Sequence, residues 1–190
     1  MSSRGRQLAG TVLCGLSMAW ASPEVSRAEG AASLEYPVKA AFLLNFAKFT
    51  EWPPDSPQAV AESVSICVFG DDPFGLALDK TVEGRLVGGR PIVLRRYRSL
   101  ADVEPCHVLF IAKPESERLP LVFARLGGQP VITVGESEGF TRRGGVIELS
   151  VENNRARFEI NLRVAERLGL GLSSRLLAVA RNFATSTEGH

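Results

Sequence analysis

Apolar positions follow two different rhythms along this chain. Between Glu35 and Trp52 (EYPVKAAFLLNFAKFTEW) they recur at helical spacing. Val38, Phe42, Phe46 and Phe49 make one stripe, and Leu43, Leu44 and Ala47 widen it beyond a single face. The spacing predicts a helix with Pro37 in its first turn, stopped by Pro53-Pro54-Asp55-Ser56-Pro57. A helix this apolar must be covered on more than one side. It is either a central core helix or a self-association surface for a homodimer, with Phe42, Leu43, Phe46 and Phe49 as the contacts.

Beyond it, short β-branched runs alternate with helical ones. Val64 to Phe69 (VSICVF), Pro91 to Tyr97, His107 to Ala112 and Pro130 to Val134 read as strands. Asp72 is expected to cap a helix that has Pro73 in first position and carries Leu76, Ala77 and Leu78. Leu119 to Leu126 reads as a helix closed by Gly127-Gly128. Apolar strands separated by helices predict a parallel sheet covered on both faces. The end of the pattern differs. Val146 to Val151 and Arg155 to Ile160 flank the hairpin-turn composition Glu152-Asn153-Asn154. In the second arm, Ala156, Phe158 and Ile160 alternate with Arg155, Arg157 and Glu159. Asn161 is expected to cap a helix through Leu168. Ser173 or Ser174 should cap a last one carrying Leu176, Leu177, Val179, Ala180 and Phe183. The fold expected is a single α/β domain over residues 33–184: a mostly parallel sheet, helices on both faces and a C-terminal antiparallel hairpin. Residues 185–190 should fray.

The first residues read as an address. Arg4 and Arg6 precede an apolar stretch from Leu8 to Ala21, which Ser22 and Pro23 break. This is the composition of a secretory signal peptide over residues 1–28, cleaved after Ala21 or after Ala28. A buried N-terminal helix is the alternative; the run is too short to span a bilayer. Cys14 leaves with the signal, and Thr11-Val12-Leu13 before it lack the small residue of a lipoprotein signal. Two cysteines then remain. The 22 Lys and Arg of the 190-residue chain stand against 21 Asp and Glu. Such balance argues against a nucleic-acid binder working through a basic face. With two His and three Cys, a dedicated metal cluster is not expected either, and no cofactor is.

Catalysis finds little support. Gly70-Asp71-Asp72-Pro73-Phe74-Gly75 follows the first parallel strand, a usual place for a phosphate, but it lacks the spacing of a dinucleotide fingerprint or a phosphate-binding loop. It reads as a capped turn or, less simply, a ligand-contacting loop. His107 directly follows Cys106 in a strand, so their side chains point to opposite faces; a structural hydrogen-bonding role is the default for His107. No Gly-x-Ser-x-Gly elbow and no Cys-x-x-Cys motif occurs. Cys67 lies in the first strand and Cys106 abuts the third. In a doubly wound sheet of order 2-1-3 those strands are neighbours, and exported thiols oxidise, so a disulfide is expected; two buried free thiols are the alternative. Arg142 and Arg143, between Gly139-Phe140 and Gly144-Gly145, sit on a glycine-bounded loop. That loop either serves a partner's carboxylates or a small anion, or is a solvated surface.

Seven stretches, in order and over nearly all of the expected mature chain, resemble the YfiR family, also called DUF4154. They are Tyr36 to Trp52 (YPVKAAFLLNFAKFTEW), Cys67 to Gly75 (CVFGDDPFG), Gly89-Arg90-Pro91, Cys106 to Ile111 (CHVLFI), Gly139 to Ile147 (GFTRRGGVI), Arg157 to Leu162 (RFEINL) and Gly169 to Ala180 (GLGLSSRLLAVA). The resemblance implies a non-enzymatic periplasmic repressor. Its partner would be the periplasmic domain of an inner-membrane GGDEF diguanylate cyclase, and an OmpA-like outer-membrane lipoprotein would sequester it. Cyclic-di-GMP synthesis, and with it biofilm formation, would be held down. It also implies the Cys67–Cys106 bridge. An additional bridge described near the hairpin in some members has no cysteines here. For partner contact, Arg142, Arg143, Arg155, Arg157 and Glu159 are expected on grounds of exposure. A periplasmic small-molecule sensor acting on another receptor is the second reading, with a pocket near Asp71 to Phe74 or beside Arg90.

Overall fold

Within the run VSICVF every side chain except Ser65 is buried, and the run forms strand β2 (Val64–Phe69) in mid-sheet. Val64, Ile66 and Val68 enter one core, while Cys67 and Phe69 enter another on the opposite face. A strand apolar on both sides has to be sandwiched, and it is. The structure is a computed structural model that describes residues 24–152 and 155–180, with side chains from residue 35 onward.

Helix α1 (Glu24–Lys48) opens the described chain, followed by strand β1 (Thr50–Glu51) and the short helix α2 (Pro57–Val60). After β2 come α3 (Leu76–Val82), β3 (Leu86–Val87), β4 (Arg90–Tyr97), β5 (Val108–Ile111), α4 (Leu119–Leu126) and β6 (Ile132–Gly135). The chain then runs through β7 (Ile147–Glu152), β8 (Arg155–Ile160), α5 (Leu162–Arg167), β9 (Gly171–Leu172) and α6 (Ser174–Val179). Seven strands form one sheet in the order β3-β4-β2-β5-β6-β7-β8. The five inner strands are parallel; β3 and β8 close the edges antiparallel. β1 and β9 pair separately. The expected α/β architecture is therefore present, hairpin included. No helix among the described residues is long and apolar enough to cross a membrane.

Helix α1 covers one face. Ala40, Leu43, Phe46 and Ala47 are wholly buried, and Phe42 and Phe46 meet Phe158 of β8 edge-on at centroid distances of 5.3 and 5.2 Å. Of the four residues expected to dimerise, Leu43 and Phe46 are thus spent inside one chain, and Phe42 and Phe49 are half-covered. The helix also ends earlier than expected, at Lys48 rather than Trp52. Thr50 and Glu51 leave it to pair with Leu172 and Gly171, and the Ser173 N–H is satisfied by the Phe49 carbonyl at 2.9 Å. Backbone pairing from a distant segment outweighs local helical periodicity there. At its start the helix reaches back to Glu24, so Pro37 lies inside it. The signal-peptide expectation falls mostly on residues 1–23, outside the described residues, as do Phe183 and the 185–190 tail.

The opposite face is covered by α4, whose Leu119, Val122 and Leu126 pack on Phe69, Leu109, Ile111 and Val131. Gly127 ends α4 in the left-handed conformation, its N–H on the Phe123 and Ala124 carbonyls. Two other glycines are demanded by Phe140. A Cβ on Gly135 or Gly145 would lie 2.3 or 2.0 Å from that ring. Asn161 and Ser173 cap α5 and α6 through their side chains as expected. Asp72 does not cap α3. Its carboxylate instead accepts from the Phe74 N–H two residues on, and Gly75 occupies the cap position.

Cys67 and Cys106 form a disulfide across β2 and the entry to β5, with Cα atoms 6.5 Å apart. Beside it, His107 is 2% exposed. The Ser65 N–H donates to His107 Nδ1 at 3.0 Å, so that nitrogen is bare and Nε2 carries the proton, donated to the Gln58 carbonyl at 2.8 Å. Arg90 donates to the same carbonyl at 2.8 Å. His107 therefore ties α2 to the amino ends of β2 and β5. Trp52 lies edge-on to the imidazole, with centroids 4.9 Å apart.

Two outcomes follow. Reducing the disulfide, or replacing both cysteines by Ala, should lower stability by about 4 kcal/mol for a loop of this length, read as a fall in the urea midpoint. Burial, with Arg90 adding to it against the Gln58 hydrogen bond, holds His107 below the ordinary histidine pKa. The unfolded chain then takes up a proton that the folded one refuses. Stability should be full above about pH 6.5 and fall below it, by up to about 1.4 kcal/mol per pH unit until the folded pKa is passed. Urea midpoints at pH 7.5 and 5.5 should differ more for the wild type than for His107→Gln.

Candidate functional site

The β7–β8 hairpin has one buried face and one polar face, and the register shows how they are built. Ile147, Leu149, Phe158 and Ile160 turn toward α1. On the other side Glu148 stands opposite Glu159, Ser150 opposite Arg157, and Glu152 opposite Arg155. Like charges directly across a strand pair are unfavourable, so Glu148 needs neutralising. It gets three donors from one loop: the Gly139 N–H at 3.2 Å, the Thr141 N–H at 3.3 Å and the Thr141 hydroxyl at 3.2 Å. Asn161 holds the same loop through the Thr141 carbonyl at 2.9 Å while capping α5. The glycine-bounded loop is thereby docked onto the polar face of the hairpin.

The candidate residues separate on this frame. Arg155 and Arg157 are exposed on the hairpin, with Glu159 partly covered between strands. Neither Glu152 nor Glu159 is without a partner. Arg142 is exposed, its guanidinium resting against Gly139. Arg143, expected beside Arg142 as a contact for a partner, is tethered instead. It donates to the Ser116 carbonyl at 3.1 Å, to Ser137 Oγ at 2.7 Å and to the Glu138 carbonyl at 3.4 Å. Its role is to hold the loop to the turn that precedes α4. The face so assembled carries charges of both signs on a rigid support.

The two ligand-contacting positions expected from sequence are otherwise employed. Asp72 is bound to Arg96 at 2.6 Å, Asp71 to Arg98 at 3.0 Å, and Phe74 packs into the core against Tyr36 and Phe110. Arg90 caps α2, donating to the carbonyls of Gln58, Ala59 and Ala61.

Sequence reading missed a buried ionic group at the carboxyl end of β6. Lys39 of α1, with a side chain 4% exposed, bonds to Glu35 one turn earlier and to Glu136, which follows β6. Tyr36 donates its hydroxyl to Glu136 at 3.3 Å, and Lys39 lies over the Tyr36 ring. Burial pulls the Lys39 ammonium downward, but the hydrogen bonds and charges of Glu136 and Glu35 outweigh it and hold its pKa above the ordinary lysine value. Tyr36 is pushed up by burial and by the Glu136 charge. Glu35 and Lys39 have i,i+4 helical spacing, a signal in the sequence; nothing local announces Glu136. The group lines a crevice of about 220 Å3 with Lys113, Leu149, Ser150 and Val151.

A family model, DUF4154, described as YfiR/HmsC-like, matches residues 36–181. Among solved structures, the chain is similar to a conserved domain protein from Vibrio cholerae O1 biovar eltor str. N16961, with 14% identity and a TM-score of 0.53. It is also similar to an ABC domain in complex with L-Trp from Streptococcus pneumonia, with 10% identity and a TM-score of 0.52. Each alignment covers 76% of this chain and 60% of the other, so the chain spans about 60% of the length of these structures. Identity this low shows the fold alone. No curated protein matches the sequence.

Replacing Lys39 by Met should leave Glu136 buried without its counter-charge and lower stability by about 3–5 kcal/mol, measured by denaturant unfolding. Lys39→Arg should recover part of the loss.

Proposed function

The chain belongs to the YfiR/HmsC-like family, and on that premise we propose that it is an exported, non-catalytic regulator of cyclic-di-GMP signalling. In this reading it acts in the periplasm on the periplasmic domain of an inner-membrane diguanylate cyclase and holds cyclic-di-GMP synthesis down. An OmpA-like outer-membrane lipoprotein sequesters this protein and so releases the cyclase. The observation that carries the reading is the family match over residues 36–181, which includes every element of the hairpin face.

That face suits recognition of a folded partner. Arg142, Arg155 and Arg157 stand out from a backbone anchored by Glu148 and Asn161, so little ordering is needed on association. Mixed charge favours orientation and partner choice over nonspecific adhesion. A repressor must also prefer one state of its target, since equal affinity for both shifts nothing.

Deleting the gene should raise cellular cyclic-di-GMP, and complementation should restore it. Arg157→Glu should fail to complement and should weaken capture of the cyclase's periplasmic domain by at least about tenfold, the scale of an interface contact worth 1–2 kcal/mol, with an unchanged melting temperature. Arg143→Glu should lower the melting temperature, because Arg143 is a tether. Unaltered cyclic-di-GMP in the deletion strain would overturn the proposal.

A further inference from the structure

A cavity of about 240 Å3 opens where the end of α4, the Gly127-Gly128 turn, the start of β6, the Gly144 loop and α5 converge. Its walls are apolar: Phe123, Leu126, Val131, Val164 and Leu168. Its polar lining consists of Thr133, Gln129 and Arg167, with no carboxylate among the lining residues. All three can donate, and the Gln129 amide can also accept. Thr133 is 3% exposed; its oxygen accepts the Val146 N–H at 3.0 Å, and its own hydroxyl proton has no acceptor among the described residues. Neither the Gln129 amide nor the Arg167 guanidinium has a side-chain partner among the described residues. Arg90, Arg96 and Arg143, by contrast, are each hydrogen-bonded or ion-paired within the chain.

An apolar chamber whose lining includes an exposed arginine, uncompensated by any lining carboxylate, discriminates by charge. Amines are repelled by Arg167 and find no acceptor of opposite sign. A neutral hydrocarbon leaves the donors unmatched, which costs affinity where they are buried. An acid with an apolar body satisfies both. We propose that this cavity is a binding site for a small apolar monocarboxylate, with the carboxylate on Arg167 and the body between Phe123 and Val164. The volume admits a body of about eight to ten non-hydrogen atoms, below the usual drug-sized range. The site is distinct from the hairpin face, and its test does not depend on the regulatory reading.

The probe is octanoate, with octylammonium as the charge-reversed control, titrated into oxidised, uniformly 15N-labelled protein and followed by amide shifts. Octanoate should give saturable shifts at Gly128, Thr133, Gly144 and Val164, with half-occupation below about 1 mM. Octylammonium and the exposed-site variant Arg167→Glu should each bind at least about tenfold more weakly. Arg167→Lys should retain part of the affinity. Absence of saturable shifts with octanoate would overturn the site. So would equal binding of octylammonium, binding unaffected by Arg167→Glu, or shifts confined to another part of the chain.

Discussion

With Ile66, Cys67, Val68 and Phe69 all fully buried, β2 has no solvent side, and the rest of the chain is arranged to keep it dry. One face is covered by α1 and α3, the other by α4. Each buried large aliphatic or aromatic side chain contributes about 1.5–3 kcal/mol, so neither cover can be dispensed with. The disulfide acts on the same strand, joining Cys67 to the entry of its neighbour β5. Covalent closure and two-sided burial therefore reinforce one pairing, from which the ladder continues through β6, β7 and β8.

His107 and Lys39, the titratable side chains buried in this interior, are each matched. His107 keeps one fixed tautomer between the Ser65 N–H and the Gln58 carbonyl. Lys39 is paired with both Glu35 and Glu136 at the far end of the sheet. Both tie an outer element to a strand end: α2 in the first case and α1 in the second. Burying a charge without such partners would cost more than the packing returns. They fasten α2 and α1 to fixed points on the sheet.

Rigidity at the core is what gives the hairpin face its character. Phe158 and Ile160 anchor β8 beneath, so Arg155 and Arg157 are presented from a fixed strand rather than from a loop. Glu148, placed between its like-charged neighbour Glu159 and the Gly139–Thr141 turn, converts a repulsion into the attachment of a loop. A surface preorganised in this manner fits a binding role in which shape and charge sign select the partner.

Local pattern determined much of this. The alternation of apolar runs and helices, the Gly127 stop, the Asn161 and Ser173 caps and the two-sided rhythm of Arg155–Ile160 are short-range facts, set by the period of 3.6 or 2 and by single-residue chemistry. The neighbouring placement of Cys67 and Cys106 followed from the topology that such alternation implies. What the tertiary structure alone decided involves partners far apart in sequence. Thr50 leaves a helix because Leu172 offers backbone pairing, Phe46 is core because Phe158 meets it, and Arg143 is a tether because Ser116 and Ser137 lie within reach. Lys39 reads as one scattered polar residue until β6 delivers Glu136, 97 positions away. Propensity and periodicity are summed over a few neighbours, whereas the fate of a charge or an aromatic ring depends on what folding brings against it.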